Sequence, residues 1–69
     1  MAEKVEIKGE FIRLDDLLKL TGAVVTGGHA KMVIQDGQVR LNGEVCLQRG
    51  KKVRRGDTVT LDGGEYSVV

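Results

Sequence analysis

The chain holds one cysteine, one histidine, no tryptophan and only two aromatic residues, Phe11 and Tyr66. Each scarcity removes a class of molecule. The single Cys46 cannot close a disulfide within the chain, so the covalent staples common in very small domains are absent. Cys46 and His29 are the only soft metal ligands, where a closed zinc site wants four. No metal and no cofactor is expected. Two aromatics argue against a reader that stacks successive bases on an aromatic platform. No apolar run approaches a membrane span, and Met1-Ala2-Glu3-Lys4 lacks the apolar stretch of a signal peptide. The expectation is a soluble, cytoplasmic protein with no membrane partner.

What remains is short and aliphatic. A chain of 69 residues allows one domain, 1–69, expected as a monomer, and buries only about 60% of the surface its unfolded form exposes. Its stability must come from aliphatic packing, for which 41% hydrophobic content suffices.

The net charge of +1 hides a division. Residues 31–55 carry seven basic residues (Lys31, Arg40, Arg49, Lys51, Lys52, Arg54, Arg55) against Asp36 and Glu44, a surplus of +5. The rest carries four basic residues (Lys4, Lys8, Arg13, Lys19) against eight acidic ones, a balance of −4. Such a dipolar chain can offer a basic face to a polyanion while its bulk charge stays small.

The patterning gives an element order. Residues 4–8 alternate as a half-buried strand does, with Val5 and Ile7 inward. Leu14, Leu17 and Leu18 mark about two helical turns from Leu14 to Thr21. Asp15 and Asp16 stand in the first turn, where the helix dipole favours negative charge. Gly22 fits the position past the helix end, where φ is positive. Thr26 is an N-cap for a second helix over 27–36, with Ala30, Val33 and Ile34 as its buried stripe. Asn42-Gly43 closes a hairpin of 38–41 with 44–47. A two-residue loop there pairs Leu41 with Glu44 and Arg40 with Val45, so these strands read as short and twisted. A basic loop follows around Val53, over 48–55. Thr58–Leu61 is a strand, Asp62-Gly63-Gly64 reverses the chain, and Glu65–Val69 returns with Tyr66 and Val68 inward. The order β-α-α-β-β-β-β predicts an α+β fold: two small helices packed on one face of a bent, mostly antiparallel sheet of about five short strands.

Catalysis has little support. His29 is the only histidine, and the single serine, Ser67, lies in the last strand. A domain this small has little room for a walled substrate pocket. Asp15 and Asp16 are adjacent and diverge by about 100° on a helix, so they suit the dipole and not acid–base work. Cys46 reads as a small buried hydrophobe. No catalytic residue is assigned.

The second helix is more informative. Gly27 and Gly28 follow the N-cap although each costs about 1 kcal/mol against Ala in a helix. Bare backbone N–H groups at a helix start can approach a phosphate closely, and Lys31 one turn later could reach the same anion. As a plain alternative, the pair forms a loose turn.

Taken in order, these residues resemble a known domain. Arg13-Leu14-Asp15-Asp16-Leu17-Leu18 is similar to the Arg-Leu-Asp-x-x-Leu opening of the RNA-binding domain first seen in small-subunit ribosomal protein S-four. Ala30-Lys31 and the run Asp36-Gly37-Gln38-Val39-Arg40-Leu41-Asn42-Gly43-Glu44-Val45 resemble its helix and hairpin. Lys52-Val53-x-x-Gly56-Asp57-x-Val59 resembles its closing segment. The likeness spans about residues 12–61. Thr26-Gly27-Gly28-His29-Ala30-Lys31, with Asn42-x-Glu44-x-x-x-x-Arg49-Gly50-x-Lys52, is closer still to small standalone bacterial members of the YaaA/YbcJ type, in which the domain is the whole protein. The resemblance implies the αL RNA-binding motif and a partner of structured RNA, ribosomal or transfer RNA, with ribosome association one expectation. It places RNA against the second helix and the hairpin, at Arg13, Thr26, Gly27, Gly28, Lys31, Gln35, Arg40 and Asn42, with basic support from Arg49, Lys51, Lys52, Arg54 and Arg55. Gly27 stands where many members carry a basic residue.

The physical reading leads to the same place. Phosphate contacts dominate such affinity and carry no sequence information. A-form RNA is read by shape, phosphate and 2′-hydroxyl, which suits a protein without stacking aromatics. The alternative is a protein–protein adaptor using an acidic surface around Glu3, Glu6, Glu10, Asp15 and Asp16, with the basic loop serving solubility.

Overall fold

The computed structural model describes residues 2–69, so the part of the leader argument that rests on Met1 falls outside the described residues. In chain order the elements are β1 (Ala2–Val5), β2 (Ile12–Arg13), α1 (Leu14–Leu20), α2 (Gly27–Gln35), β3 (Val39–Leu41), β4 (Glu44–Val45), β5 (Lys52–Val53), β6 (Thr58–Leu61) and β7 (Gly64–Val68). Five strands form one sheet in the order β1-β7-β6-β3-β4, and β2 pairs with β5 in a separate two-stranded sheet.

The leucine spacing makes α1. Leu14, Leu17 and Leu18 are fully buried, with Asp15 and Asp16 in its first turn and Lys19 in its last. Gly22, at φ 79°, follows its end, as the left-handed residue past a helix terminus requires. In α2 the stripe of Ala30, Val33 and Ile34 is buried. These six residues meet Val39, Val59, Leu61 and Val68 of the sheet, Val5 of β1, Val53 of β5 and Val24 of the connector. Fully burying a leucine, isoleucine or valine contributes roughly 1.5–3 kcal/mol over leaving it exposed. This aliphatic cluster therefore takes the place of the staples that the composition excludes. No polar or charged side chain is buried among the described residues.

Both hairpins turn on two residues of positive φ: Asn42 at 53° with Gly43 at 87°, and Asp62 at 49° with Gly63 at 81°. That is the signature of the turn whose twist matches the flanking strands. The register of β3 on β4 is Leu41 with Glu44 and Arg40 with Val45, as the loop length predicts, and both β4 residues are exposed.

The structure corrects the element order to β-β-α-α-β-β-β-β-β. β1 ends at Val5 instead of residue 8. It runs parallel to β7, unlike the other ladders, and Val69 N–H to Val5 O is the last bond of that pairing. Ile7 packs against the core from the connector beyond the strand. The helices stop one residue short of the expected ends, and the last strand is 64–68 instead of 65–69. The expected loop 48–55 contains β5, which pairs with an unforeseen β2. Two residues are too few to show a period-two pattern. Among the described residues, no helix is long and apolar enough to cross a membrane.

Candidate nucleic-acid interface

The basic segment hangs from helix α1. The residue capping that helix, Arg13, makes no side-chain capping bond. The first N–H groups of the helix are satisfied instead by the segment itself: Leu14 N–H donates to Lys51 O at 2.9 Å, and Asp15 N–H donates to Arg49 O at 3.1 Å. The orphan donors of a helix start thus fix the carbonyls of the basic loop. The β2–β5 ladder continues the attachment, with Ile12 beside Val53 and Arg13 beside Lys52. Val53 is fully buried while Arg49, Lys51, Lys52 and Arg54 are exposed. One anchored valine therefore sets a row of cations facing solvent.

A polar latch joins this loop to the β3–β4 hairpin. Asp57 Oδ2 accepts from Arg54 N–H at 2.8 Å, and Asp57 Oδ1 accepts from Asn42 Nδ2 at 3.1 Å. Asn42 Oδ1 in turn accepts from Thr58 N–H at 2.9 Å, and Asn42 N–H donates to Thr58 O at 2.7 Å. The Arg54 N–H first, then the Asn42 amide, with the charges of Arg54 and Lys51 behind them, hold the Asp57 carboxyl below its usual 3.8 against a small cost of burial. Hydrogen bonds to the charged form are the physical cause. Between hairpin and loop lies an open groove of about 430 Å³, lined by Asn42, Glu44, Lys51, Lys52, Arg54 and Asp57.

The sequence-assigned residues do not all stand alike. Lys51, Lys52 and Arg54 share the groove with Asn42. The Arg13 guanidinium lies beside Gly50, where an added methyl would sit 3.7 Å from its Nη2, and bridges Asp15 at 3.2 Å. Lys52 Nζ stands 4.8 Å from the centroid of the Phe11 ring. Arg55 turns away from the groove: its guanidinium donates to Gly9 O at 2.9 Å and Ile7 O at 2.8 Å, tying down the connector after β1. Arg40 is exposed in mid β3, between inward Val39 and half-buried Leu41, and Arg40 Nη1 donates to Gly43 O at 3.4 Å. On α2, Thr26 Oγ1 accepts from His29 N–H at 3.1 Å, which confirms the cap. Gly27, Gly28, Lys31 and Gln35 are exposed, and no hydrogen bond or ion pair among the described residues joins them to the loop.

None of the seven cations within 31–55 has a carboxylate at ion-pair distance among the described residues. Ser67 Oγ lies 3.5 Å from Thr58 Oγ1, a partner within the sheet. Cys46 is half-buried against the core, with Sγ 3.8 Å from Gln48 O. Two features of the groove escaped the sequence. The latch joins Asn42 to a residue fifteen positions away, and Glu44 lies inside the cationic groove. The advance signals were that Asn42-Gly43 closes a hairpin and that Asn42, Glu44, Gly56 and Asp57 all stand in the segments that resemble the known domain.

The family model described as "S4 domain" matches residues 5–69. The probable ribosome maturation protein RlbA of Bacillus subtilis is 37% identical over 70 residues, covering 100% of this chain and 99% of its own. YbcJ of Escherichia coli K12 is 39% identical over 62 residues, covering 90% and 89%. The solution structure of Escherichia coli YbcJ, which reveals an αL motif involved in RNA binding, superposes with a TM-score of 0.76 at 34% identity, covering 100% of this chain and 89% of that one. The trimeric structure of Vibrio cholerae heat shock protein 15 gives a TM-score of 0.69 at 31% identity, over 81% of this chain and 58% of that one.

Proposed function

The chain belongs to the S4 domain family, and from that premise we infer that it binds structured RNA, ribosomal or transfer, through phosphate and shape contacts. The observation that carries this reading is the row of solvent-facing cations, without ion pairs among the described residues, hung from the start of α1 and from buried Val53. Backbone hydrogen bonds from α1 and the β2–β5 ladder hold the row in place. Unpaired cations release counterions when they meet phosphate. Arg49, Lys51, Lys52 and Arg54 make the phosphate contacts, with Arg13 and Arg40 at the flanks. Thr26, Gly27, Gly28, Lys31 and Gln35 of α2 form a second contact. Asn42 and Arg55 serve by positioning, since their polar atoms are engaged within the protein.

On this reading residues 1–69 are one RNA-binding domain that works as a cytoplasmic monomer, without cofactor and without catalysis. The description of YbcJ supports RNA as the partner, and the name of RlbA, a probable ribosome maturation protein, supports a ribosomal one. Crosslinking in cells followed by sequencing of the bound RNA tests it. Structured segments of ribosomal or transfer RNA should be enriched. RNA at background, with protein partners recovered through the acidic surface, would favour the adaptor.

A further inference from the structure

We propose that Glu44 is a specificity-determining residue of the cationic groove, accepting a hydrogen bond from the exocyclic amino group of guanine. The proposal rests on the RNA reading above and names what that surface selects.

The groove between hairpin and loop holds Lys51, Lys52 and Arg54, which attract phosphate, and two carboxylates, Glu44 and Asp57. Asp57 is committed, since both its oxygens accept bonds from within the protein. The Asn42 carbonyl oxygen is committed to Thr58 N–H. Glu44 is different. It is exposed at the pair that closes the hairpin. Among the described residues its carboxylate has no ion-pair partner, although three cations line the same groove.

A surface that bound phosphate alone would gain nothing from a free carboxylate here, because it repels each phosphate that the lysines attract. A carboxylate only accepts hydrogen bonds, so its match on RNA is a donor. RNA offers 2′-hydroxyls and the amino and imino groups of its bases. The 2′-hydroxyl separates RNA from DNA but is the same at every nucleotide, so only a donor on a base edge would make Glu44 a reader of sequence. In the wide, shallow minor groove of an RNA helix the base edges are accessible, and the amino group that marks G·C there belongs to guanine. The cations would hold the backbone while Glu44 takes that donor.

The test uses the full chain and a short stem-loop RNA, made once with guanine and once with inosine, which lacks only the exocyclic amino group. The wild-type protein should prefer the guanine stem-loop by about three- to tenfold, as a charge-assisted hydrogen bond in a wet groove allows. Glu44→Ala should bind both equally, and should bind the inosine form at least as tightly as wild type does. An equal guanine-to-inosine ratio in the two proteins would overturn the proposal. So would a mutant whose affinity rises by one common factor for both stem-loops and for heparin. A wild-type protein that binds neither stem-loop would refute the RNA reading itself. Matching melting curves for the two proteins are expected, because the Glu44 side chain is exposed and makes no ion pair among the described residues.

Discussion

The smallest unit that shapes this surface is the Asp57 carboxylate. It holds the Arg54 N–H and the Asn42 amide together, and so fixes the loop against the hairpin. Its folded-state pKa is depressed. Its contribution to stability is therefore complete above the usual 3.8 and is lost as pH falls through the lower folded value. Asp57→Ala should cost about 1.5–3 kcal/mol at neutral pH, the range for hydrogen bonds to a charged group. In melting curves the gap between wild type and Asp57→Asn should close as pH drops below 3.8; a gap independent of pH would contradict the latch. Gly43 is a second residue-scale constraint. At φ 87° a β-branched side chain is strained by roughly 1–3 kcal/mol, so Gly43→Val should melt lower, and an unchanged melting temperature would refute the turn. Of these two residues only Gly43 was legible in the sequence. Asn-Gly declares itself locally, whereas a bond from residue 42 to residue 57 leaves no local pattern.

Among the elements, legibility followed length. α1, α2 and β6 are long enough to show their period, and their buried faces came out as Leu14, Leu17, Leu18, Ala30, Val33, Ile34, Val59 and Leu61. β2 and β5 have two residues each, and only their pairing with each other makes them strands. The parallel contact of β1 with β7 joins the two ends of the chain, a juxtaposition that no window of sequence contains. The open question at this scale is the glycine start of α2. A methyl at Gly28 would meet only Thr26 Oγ1, at 3.9 Å, and one at Gly27 would meet nothing. Gly28→Ala should therefore fold and gain up to about 1 kcal/mol. If a phosphate seats against that bare backbone, the more stable protein will bind RNA more weakly. Lys31→Ala will weaken binding too, and the double mutant will lose less than the sum. Firmer folding with unchanged RNA affinity would return the glycines to a simple turn.

For the molecule as a whole, the charge division read from the sequence puts Lys51, Lys52 and Arg54 into one groove. The +5 segment maps onto one anchored loop, one hairpin and one helix face, while Arg55, counted in that segment, spends its guanidinium on the Ile7 and Gly9 carbonyls. That distinction decides which variant is informative. Removing Arg55 would mix a folding defect into a binding assay, whereas the side chains of Arg49, Lys51 and Arg54 are exposed and free of ion pairs among the described residues. The central claim is that these cations hold RNA by its phosphates. The most direct measurement is RNA affinity against salt for wild type and for the triple variant Arg49→Ala, Lys51→Ala, Arg54→Ala, beside their melting curves. If about 4–6 phosphates are neutralised, log K of the wild type should fall against log salt with a slope of very roughly −3 to −5. The triple variant should melt as wild type does, bind far more weakly and show a slope shallower by about 2–3. A folded triple variant with unaltered affinity, or a wild type whose binding ignores salt, would contradict the account.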